Sequence, residues 1–438
     1  MLNPVHLVLY AVLIFPWIAA EAETIIAPPG ERIQAAIDDA RASRSGLEPL
    51  RVVIHTDLSM GLQSYGYDCY GLGCLTCFHP RDVDDGWAIP YLLTDPSVEV
   101  VAILVQFGNA FCYDACTESC DPTRPCEGID KMVALAEQMV AWSGTNVPVF
   151  GGSRCQFDPQ GATPAGTTEV LELLRAQGPA LVMGIGNAAD PAYMIRDLTA
   201  TDELHLIDTL VLEMGQWGPW YDQPKFLLDG KAVGDANVLN DQGAISWLIE
   251  QPALPPVQFV PFNAVRMGLV TPALLDSMLD QQAPASQLFS THSQAWMNHW
   301  ASIFNDASFH LWDVVTMLSL LEGSSFKEVP VSPSMKTFTD SNGRTYETLQ
   351  LENALTATGF TCKPLIEGFG PPLISLFSKV GYSQSSQCNP VVQLALRGIT
   401  RLDELADCPA DLNGDRVVDA ADLTELLARW GEPCVVGD

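Results

Sequence analysis

At 438 residues, the chain is long enough for one large globular domain and a smaller module. Its hydrophobic content of 47%, with 17% charged residues, excludes an intrinsically disordered protein. The formal net charge of −31 argues against partners with a phosphate backbone and favours multivalent cations.

The first 22 residues have the features of a signal peptide. An apolar run over 7–20 ends in the small-residue pattern Ala20-Glu21-Ala22, and this run is too short to favour a membrane span. Twelve cysteines agree with an oxidising compartment. We therefore expect a protein without a membrane span that is secreted, or located at the cell surface or in the periplasm, with residues 23–50 as a polar lead-in.

Eight of the cysteines lie between Cys69 and Cys155. The Cys74-x-x-Cys77 pattern would suit half of a zinc site, but no second matched pair follows, so disulfides are favoured. Pairing among these eight is left open. Proximity along the chain predicts two further pairs, Cys362 with Cys388 and Cys408 with Cys434.

Strand-like and helix-like segments alternate over residues 51–400, which predicts an α/β domain with an open, mostly parallel sheet and flanking helices. The strand-like segments are 52–54, 98–106, 147–150, 180–183, 206–212 and 256–260. The helix-like segments are 129–142, 168–176, 244–250 and 272–280. A hairpin is expected over 337–349. Two Cys-rich insertions, 58–81 and 110–127, leave strand ends, so we expect them to be stapled together as a rim over one crevice.

Acidic residues collect where predicted strands end and helices begin. Asp57 follows the first strand, Asp82, Asp84 and Asp85 precede the next helix, and Asn109 follows the second strand. In an open parallel sheet this edge forms the crevice that binds ligands. Burying so much negative charge is costly without a cation, and hard oxygen ligands suit Ca²⁺ or Mg²⁺. The alternative is that the adjacent aspartates only cap a helix.

This pattern resembles the nucleoside hydrolase family of the inosine-uridine type. Asp84 and Asp85 match its Asp-Asp-Ala motif, and Asn109 follows at the spacing of its Gly-Asn motif. His55-Thr56-Asp57 stands for the family's Asp-x-Asp, with His55 in place of the first aspartate. The insertion 58–81 separates the two halves of this motif.

Later segments carry the same resemblance. Gly186 lies where a family backbone carbonyl completes the metal shell, and Met214 matches a Met-Gly turn beside the sugar. Asp235 and Asn237 match a Glu-x-Asn pair that hydrogen-bonds ribose hydroxyls, although Asp235 is one methylene shorter than Glu. Read without the family, these segments are a Gly-rich turn and helix N-cap residues.

Trp312-Asp313 opens an apolar helix and resembles the family's His-Asp pair, so Asp313 matches a metal ligand. Trp312 replaces a histidine that helps to protonate the departing base in many members, while other members stack the base on aromatic rings. Five tryptophans offer such rings, and core packing is the alternative for each of them: Trp217, Trp220, Trp296, Trp300 and Trp312. His299 and His310 are fallback acids.

Residues 405–438 predict a small helical Ca²⁺-binding module. Oxygen ligands recur at loop positions 1, 3, 5, 9 and 12, with a backbone carbonyl at position 7, as in seven-coordinate Ca²⁺ loops. These residues are Asp411, Asn413, Asp415, Val417, Asp419 and Asp422. Aspartate at the last position resembles a single dockerin type I repeat, which implies a cohesin-like or cell-surface partner.

The resemblance implies an exported, Ca²⁺-dependent N-ribohydrolase that cleaves nucleosides to ribose and free base. Asp57, Asp85, Asp313 and the Gly186 carbonyl would bind Ca²⁺, which would hold two ribose hydroxyls and a water for which Asp57 is the general base. The substrate would contact Asp84, Asn109, Met214, Asp235, Asn237 and Trp312. The alternatives are a non-catalytic, Ca²⁺-dependent sugar or nucleoside binder attached through its C-terminal module, and an adhesion or scaffold protein.

Overall fold

The computed structural model describes residues 48–67, 76–110, 119–217, 226–228, 231–233, 235–261, 269–304, 308–321, 328–339, 345–354, 359–362 and 390–406. The predicted signal peptide, nearly all of the lead-in and all the ligands of the predicted C-terminal Ca²⁺ loop lie outside these residues. Within them, every helix is too short or too polar to cross a membrane.

Apolar, β-branched segments form most of the central strands, because such side chains fill the two buried faces of a parallel sheet. The strands are β1 Leu50–Thr56, β2 Gln63–Tyr67, β3 Thr76–Pro80, β4 Val98–Val105, β5 Val149–Gly151, β6 Ala180–Gly184, β7 Ile207–Glu213, β8 Gln216–Trp217, β9 Phe226–Leu228, β10 Lys231–Val233, β11 Val257–Val260, β12 Leu269–Val270, β13 Phe309–His310, β14 Val329–Thr339, β15 Thr345–Asn353 and β16 Phe360–Cys362.

Helices connect the strands and flank the sheet. They are α1 Asp84–Thr94, α2 Glu127–Trp142, α3 Ala165–Gln177, α4 Ala189–Ala200, α5 Ala236–Asn240, α6 Gln242–Ile249, α7 Pro272–Leu279, α8 Pro284–Phe304, α9 Trp312–Leu321 and α10 Pro390–Ala406. Their ends follow local chemistry. For example, α3 stops at Gly178, whose positive φ of 97° suits glycine and whose N–H donates to the Leu174 carbonyl.

Over the described residues the central sheet contains ten strands, and its first six run in the order β5-β4-β1-β6-β7-β11. Numbered by their own chain order, these parallel strands read 3-2-1-4-5-6, which is the doubly wound arrangement. The strands that follow β1 are added on one side of it, and the strands that follow β6 are added on the opposite side, so the strand order reverses between β1 and β6. Ligands of such sheets bind in the crevice at the carboxyl ends of the two strands that flank this reversal.

Side chains alternate across the sheet, so each face has its own hydrophobic core. Val52 and Ile54 of β1 face a core built with α1, α8, α9 and α10, whereas Val53 faces one built with α3, α4 and α6. Every residue of α1 is buried, which fixes the start of that helix against the sheet edge. The predicted α/β architecture, with a largely parallel sheet and helices on both sides, is confirmed.

The predicted hairpin is confirmed and is longer than expected, because β14 and β15 pair antiparallel over nine residues each. The insertion 58–81 contributes a second antiparallel hairpin, β2–β3. Helix α10 continues through the expected domain boundary at residue 400 and ends at Ala406.

One described disulfide joins Cys120 to Cys155 and so ties the segment before α2 to the segment after β5. Cys126 is also disulfide-bonded. The expected staple between the two insertions and the pairs proposed for the C-terminal part depend on cysteines that the structure does not describe. These are Cys69, Cys74, Cys112, Cys116, Cys388, Cys408 and Cys434.

Candidate metal and substrate site

Asp57 lies directly after β1, at the strand end where the doubly wound order reverses, and its side chain is 3% exposed. The backbone N–H of Asn109 donates to its carboxylate. Two glycines leave room for it: a Cβ on Gly108 would overlap Asp57 Oδ2, and a Cβ on Gly186 would lie 3.1 Å from Asp57 Oδ1. The backbone after β4 and after β6 therefore closes around this carboxylate.

Three further aspartates stand at the start of α1, beside Asp57. Asp82, Asp84 and Asp85 each place a carboxylate oxygen within 4.8 Å of the others. Thr56 Oγ1 donates a hydrogen bond to Asp85 Oδ1, and Asn109 Nδ2 donates to Asp82 Oδ1 at 2.6 Å. Asn109, which the resemblance assigns to the sugar, thus also orders Asp82.

The start of α9 brings the fifth aspartate. The backbone N–H groups of Trp312 and Asp313 donate to Asp84 Oδ2 at 3.0 and 3.4 Å, so Asp84 accepts hydrogen bonds at the positive end of that helix. The carboxyl groups of Asp85 and Asp313 are hydrogen-bonded to each other. Asp85 also interacts electrostatically with Asp57, so it links two acids that are far apart in sequence. The assignment of Asp57, Asp85 and Asp313 as metal ligands stays a prediction.

These carboxyl groups repel one another in a buried place. Burial, with neighbouring carboxylates adding to it, raises the pKa of Asp57, Asp84, Asp85 and Asp313 well above the usual range. Burial likewise raises the pKa of Asp82 to about 6. A divalent cation satisfies such an all-oxygen donor set by replacing protons with positive charge, so these residues fit a hard metal ion.

On the other side of this cluster, Glu213 ends β7 and is 3% exposed. Asn237 Nδ2 donates to Glu213 Oε2 at 2.7 Å and to the Glu213 carbonyl at 3.0 Å. Burial, with Asp235 and Asp84 nearby, raises the pKa of Glu213 well above the usual range. The sequence analysis did not select Glu213, and it placed Asp82 in the acidic cluster without giving it a role in metal or substrate binding. Each residue had a signal in the sequence: Glu213 is a charged residue at the end of an apolar strand, and Asp82 is a third acid next to the pair Asp84 and Asp85.

Asp235 has a different setting from the one that the resemblance implies. Its Oδ2 accepts from the Gly215 N–H at 2.7 Å and its Oδ1 accepts from the Val238 N–H at 3.1 Å. The interpretation of Asp235 as a helix N-cap is confirmed, because the second bond caps α5. Met214, in the turn between β7 and β8, is fully buried.

An aromatic series, Trp312, Trp300 and Trp296, runs from the aspartate cluster into the hydrophobic core, where these side chains are 8%, 1% and 2% exposed, as the core-packing alternative expects. The ring centroids of Trp312 and Trp300 lie 5.8 Å apart, and those of Trp300 and Trp296 lie 5.6 Å apart. The ring centroids of His310 and Trp312 lie 5.4 Å apart. Trp217 is instead part of β8 at the edge of the sheet, and Trp220 lies outside the described residues.

The hairpin β2–β3 packs against the aromatic series through His299, whose ring centroid lies 5.8 Å from that of Trp296. His79 of β3 stacks on His299 of α8 with ring centroids 3.9 Å apart, and Arg81 Nη1 lies 3.0 Å from His79 Nε2. Burial and the Arg81 charge lower the pKa of His79 to about 4 and also lower the pKa of His299. Both imidazoles are therefore neutral at pH 7, which makes His299 a poor general acid.

His55 occupies the family's first-aspartate position and faces Asp190 in the core between β1 and α4. Both side chains are fully buried, and His55 Nε2 lies 3.7 Å from Asp190 Oδ2. Ser153 donates to the Asp190 carboxylate from its N–H and, at 2.8 Å, from its hydroxyl. The residue that departs from the family pattern is thus packed against a buried carboxylate.

Substituting His55→Asp is expected to lower the free energy of unfolding by about 3–5 kcal/mol, because it places a second buried carboxylate beside Asp190 without a compensating charge. Denaturant unfolding at pH 7 in saturating Ca²⁺ measures this loss. His55→Asn, which is neutral and close in size to Asp, is the matched control. Equal stability of the two variants would contradict the expected repulsion.

No protein-family model matches the sequence, and no curated protein matches it. Solved structures do. A plant nucleoside hydrolase superposes with a TM-score of 0.50 and 13% identity, over 82% of this chain and 100% of the other. A purine-preferring ribonucleoside hydrolase from Gardnerella vaginalis superposes with a TM-score of 0.51 and 14% identity, over 79% of this chain and 99% of the other. The chain therefore shares its α/β fold with nucleoside hydrolases.

Proposed function

We propose that the protein is an exported, Ca²⁺-dependent N-ribohydrolase that cleaves the N-glycosidic bond of nucleosides. One observation carries this proposal: at the carboxyl edge of the doubly wound sheet, the Asp85 carboxyl is hydrogen-bonded to Asp313 and interacts electrostatically with Asp57, so it links acids from three distant segments. The fold shared with two solved nucleoside hydrolases supports the choice of substrate class.

In this proposal Asp57, Asp85, Asp313 and the Gly186 carbonyl hold the cation, with Asp82 and Asp84 adding negative charge beside it. All the donors are oxygen atoms, which favours Ca²⁺ over softer metals. A bound divalent cation supplies positive charge that lowers the pKa of water and orients sugar hydroxyls.

Asp57 is the proposed general base, because the Asn109 N–H and the two flanking glycines hold its carboxylate in one position. Asp84 is fixed through Oδ2 by α9, which leaves Oδ1 as the proposed acceptor for a sugar hydroxyl. The buried carboxylates would also stabilise the positive charge that develops on the sugar ring as the glycosidic bond breaks.

The departing base is proposed to lie against Trp312, whose backbone N–H donates to Asp84 at the aspartate cluster. The indole of Trp312 cannot act as an acid, His299 is neutral at pH 7, and no acid role is proposed for His310. Substrates whose leaving groups need no proton should therefore react best, since a general acid contributes about 10²–10⁴-fold.

The expected result is that p-nitrophenyl riboside shows a kcat/KM at least about 100-fold above those of inosine and uridine. The assay compares release of nitrophenol with release of free base, each in Ca²⁺ and in chelator. Equal kcat/KM values for all three substrates would contradict the lack of leaving-group activation. Binding of nucleosides without any turnover would instead support the non-catalytic binder, which the replacement of the family's histidine by Trp312 favours.

The export and attachment proposals rest on sequence alone. Residues 1–22 are proposed to direct export, and residues 405–438 to bind a second Ca²⁺ and a cohesin-like or cell-surface partner.

A further inference from the structure

We infer that Glu213 is a specificity-determining residue that binds a sugar hydroxyl, in place of the Asp235 that sequence resemblance assigns to this task. The inference rests on the proposed function, because it names the group that selects the substrate's sugar at the same site.

The strand register sets the position of Glu213. His55 of β1 lies beside Gly184 of β6, and Gly184 lies beside Leu212 of β7. Glu213 follows Leu212, so it emerges at the same edge of the sheet as Asp57. Its carboxylate interacts electrostatically with Asp84 and Asp85, which places it beside the aspartate cluster.

Only one of the two carboxylate oxygens of Glu213 is engaged. Asn237 Nδ2 holds Oε2, whereas Oε1 is buried and has no hydrogen-bond partner among the described residues. A buried carboxylate oxygen without a donor is costly, and native proteins normally supply one. A ligand hydroxyl supplies such a donor. The hydrogen bond from Asn237 Nδ2 to Oε2 fixes the orientation of the carboxylate and therefore the direction of Oε1.

In Asp235, by contrast, both carboxylate oxygens accept backbone hydrogen bonds. The Gly215 and Val238 N–H groups occupy its two oxygens, and its side chain is one methylene shorter than the glutamate of the family motif. A sugar hydroxyl that displaced either N–H group would break the hydrogen bond to the turn at Gly215 or the one that caps α5. The acceptor for the sugar hydroxyl is therefore Glu213, at the end of β7, and not Asp235, at the start of α5.

The experiment compares Glu213→Ala with the wild type on a ribonucleoside and on its 2′-deoxy, 3′-deoxy and 5′-deoxy analogues. Glu213→Ala is expected to lower kcat/KM about 10- to 100-fold on every substrate except the analogue that lacks the bound hydroxyl, where the loss disappears. Asp235→Asn is the control, and its loss should be the same on all four substrates because it acts through the helix cap.

Glu213→Gln keeps the size of the side chain and serves if Glu213→Ala does not fold. Calorimetric binding of pseudouridine, a nucleoside whose C-glycosidic bond is not hydrolysed, and of its deoxy analogues gives a readout that does not need turnover. A Glu213-dependent preference among these ligands would support the inference even if the wild type cleaves no nucleoside and the proposed reaction fails.

Two results would overturn the inference while leaving the proposed hydrolase intact. One is an active wild type in which the Glu213 substitutions cost the same on all four substrates. The other is a fall in Ca²⁺ affinity, measured without nucleoside, that accounts for the whole loss and makes Glu213 part of the metal site. In the first of these two cases, a hydroxyl-specific loss in Asp235→Asn would restore the family assignment.

Discussion

Asp57→Asn is expected to lower kcat/KM for p-nitrophenyl riboside on the order of 10³-fold or more, because it removes the proposed general base and a carboxylate ligand together. The same change should stabilise the Ca²⁺-free protein at pH 7. One of several mutually repelling buried carboxylates is then replaced by a neutral side chain that still accepts from the Asn109 N–H. Kinetics and thermal unfolding of the two proteins measure both effects.

Asp403→Asn is the matched control for Asp57→Asn. Asp403 is also a buried aspartate, but it caps α8 by accepting from the Ala285 N–H and the Ser286 N–H and hydroxyl. Its replacement should cost about 1 kcal/mol of stability and leave kcat/KM unchanged. An Asp57→Asn protein that loses stability without Ca²⁺, yet keeps its activity, would make Asp57 a structural residue.

Removal of divalent cations is expected to abolish activity and to lower thermal stability more at pH 7 than at pH 5. Folding raises the pKa values of Asp82 and Asp235 from 3.8 to about 6, so the Ca²⁺-free folded state binds more protons than the unfolded state in this interval. Its free energy of unfolding therefore falls as the pH rises from about 4 to about 6.

Ca²⁺ must displace protons from the aspartate cluster, that of Asp82 among them, so its stabilising effect should grow over the same interval. At pH 7 and about 100 times Kd, binding should add about 2.7 kcal/mol to the free energy of unfolding. Thermal unfolding at pH 5 and pH 7, with Ca²⁺ and with chelator, measures the difference. Equal stabilisation at the two pH values would mean that the ion binds elsewhere.

The proposed C-terminal Ca²⁺ loop requires its own control, because it would also respond to chelator. Calorimetric titration of the full chain should show two sites, one lost in Asp85→Asn and the other in Asp415→Ala. Only the first variant should lose the pH-dependent stabilisation of the α/β domain. A single site that is lost in Asp415→Ala alone would remove the cation from the proposed reaction.

Local pattern determined the fold class and much of the site. The apolar strand that ends at Asp57, the acids that open α1 and the segment leading to Asn109 predicted a ligand crevice at the carboxyl edge of a parallel sheet. The structure places them there because strand ends and helix starts follow from the periodicity of nearby side chains. Helices with weaker signals, such as α4 and α8, were not predicted.

Only the tertiary structure decided which neighbour each polar group meets. The sequence offered Asp235 as a sugar ligand, but the Gly215 and Val238 N–H groups bind both of its oxygens, whereas Glu213 Oε1 has no hydrogen-bond partner in the described part of the chain. Tertiary packing likewise places His55 beside Asp190, and the sequence did not predict this contact. Hydrogen-bond saturation depends on packing between segments far apart in the chain, and no pattern read along the chain contains that information.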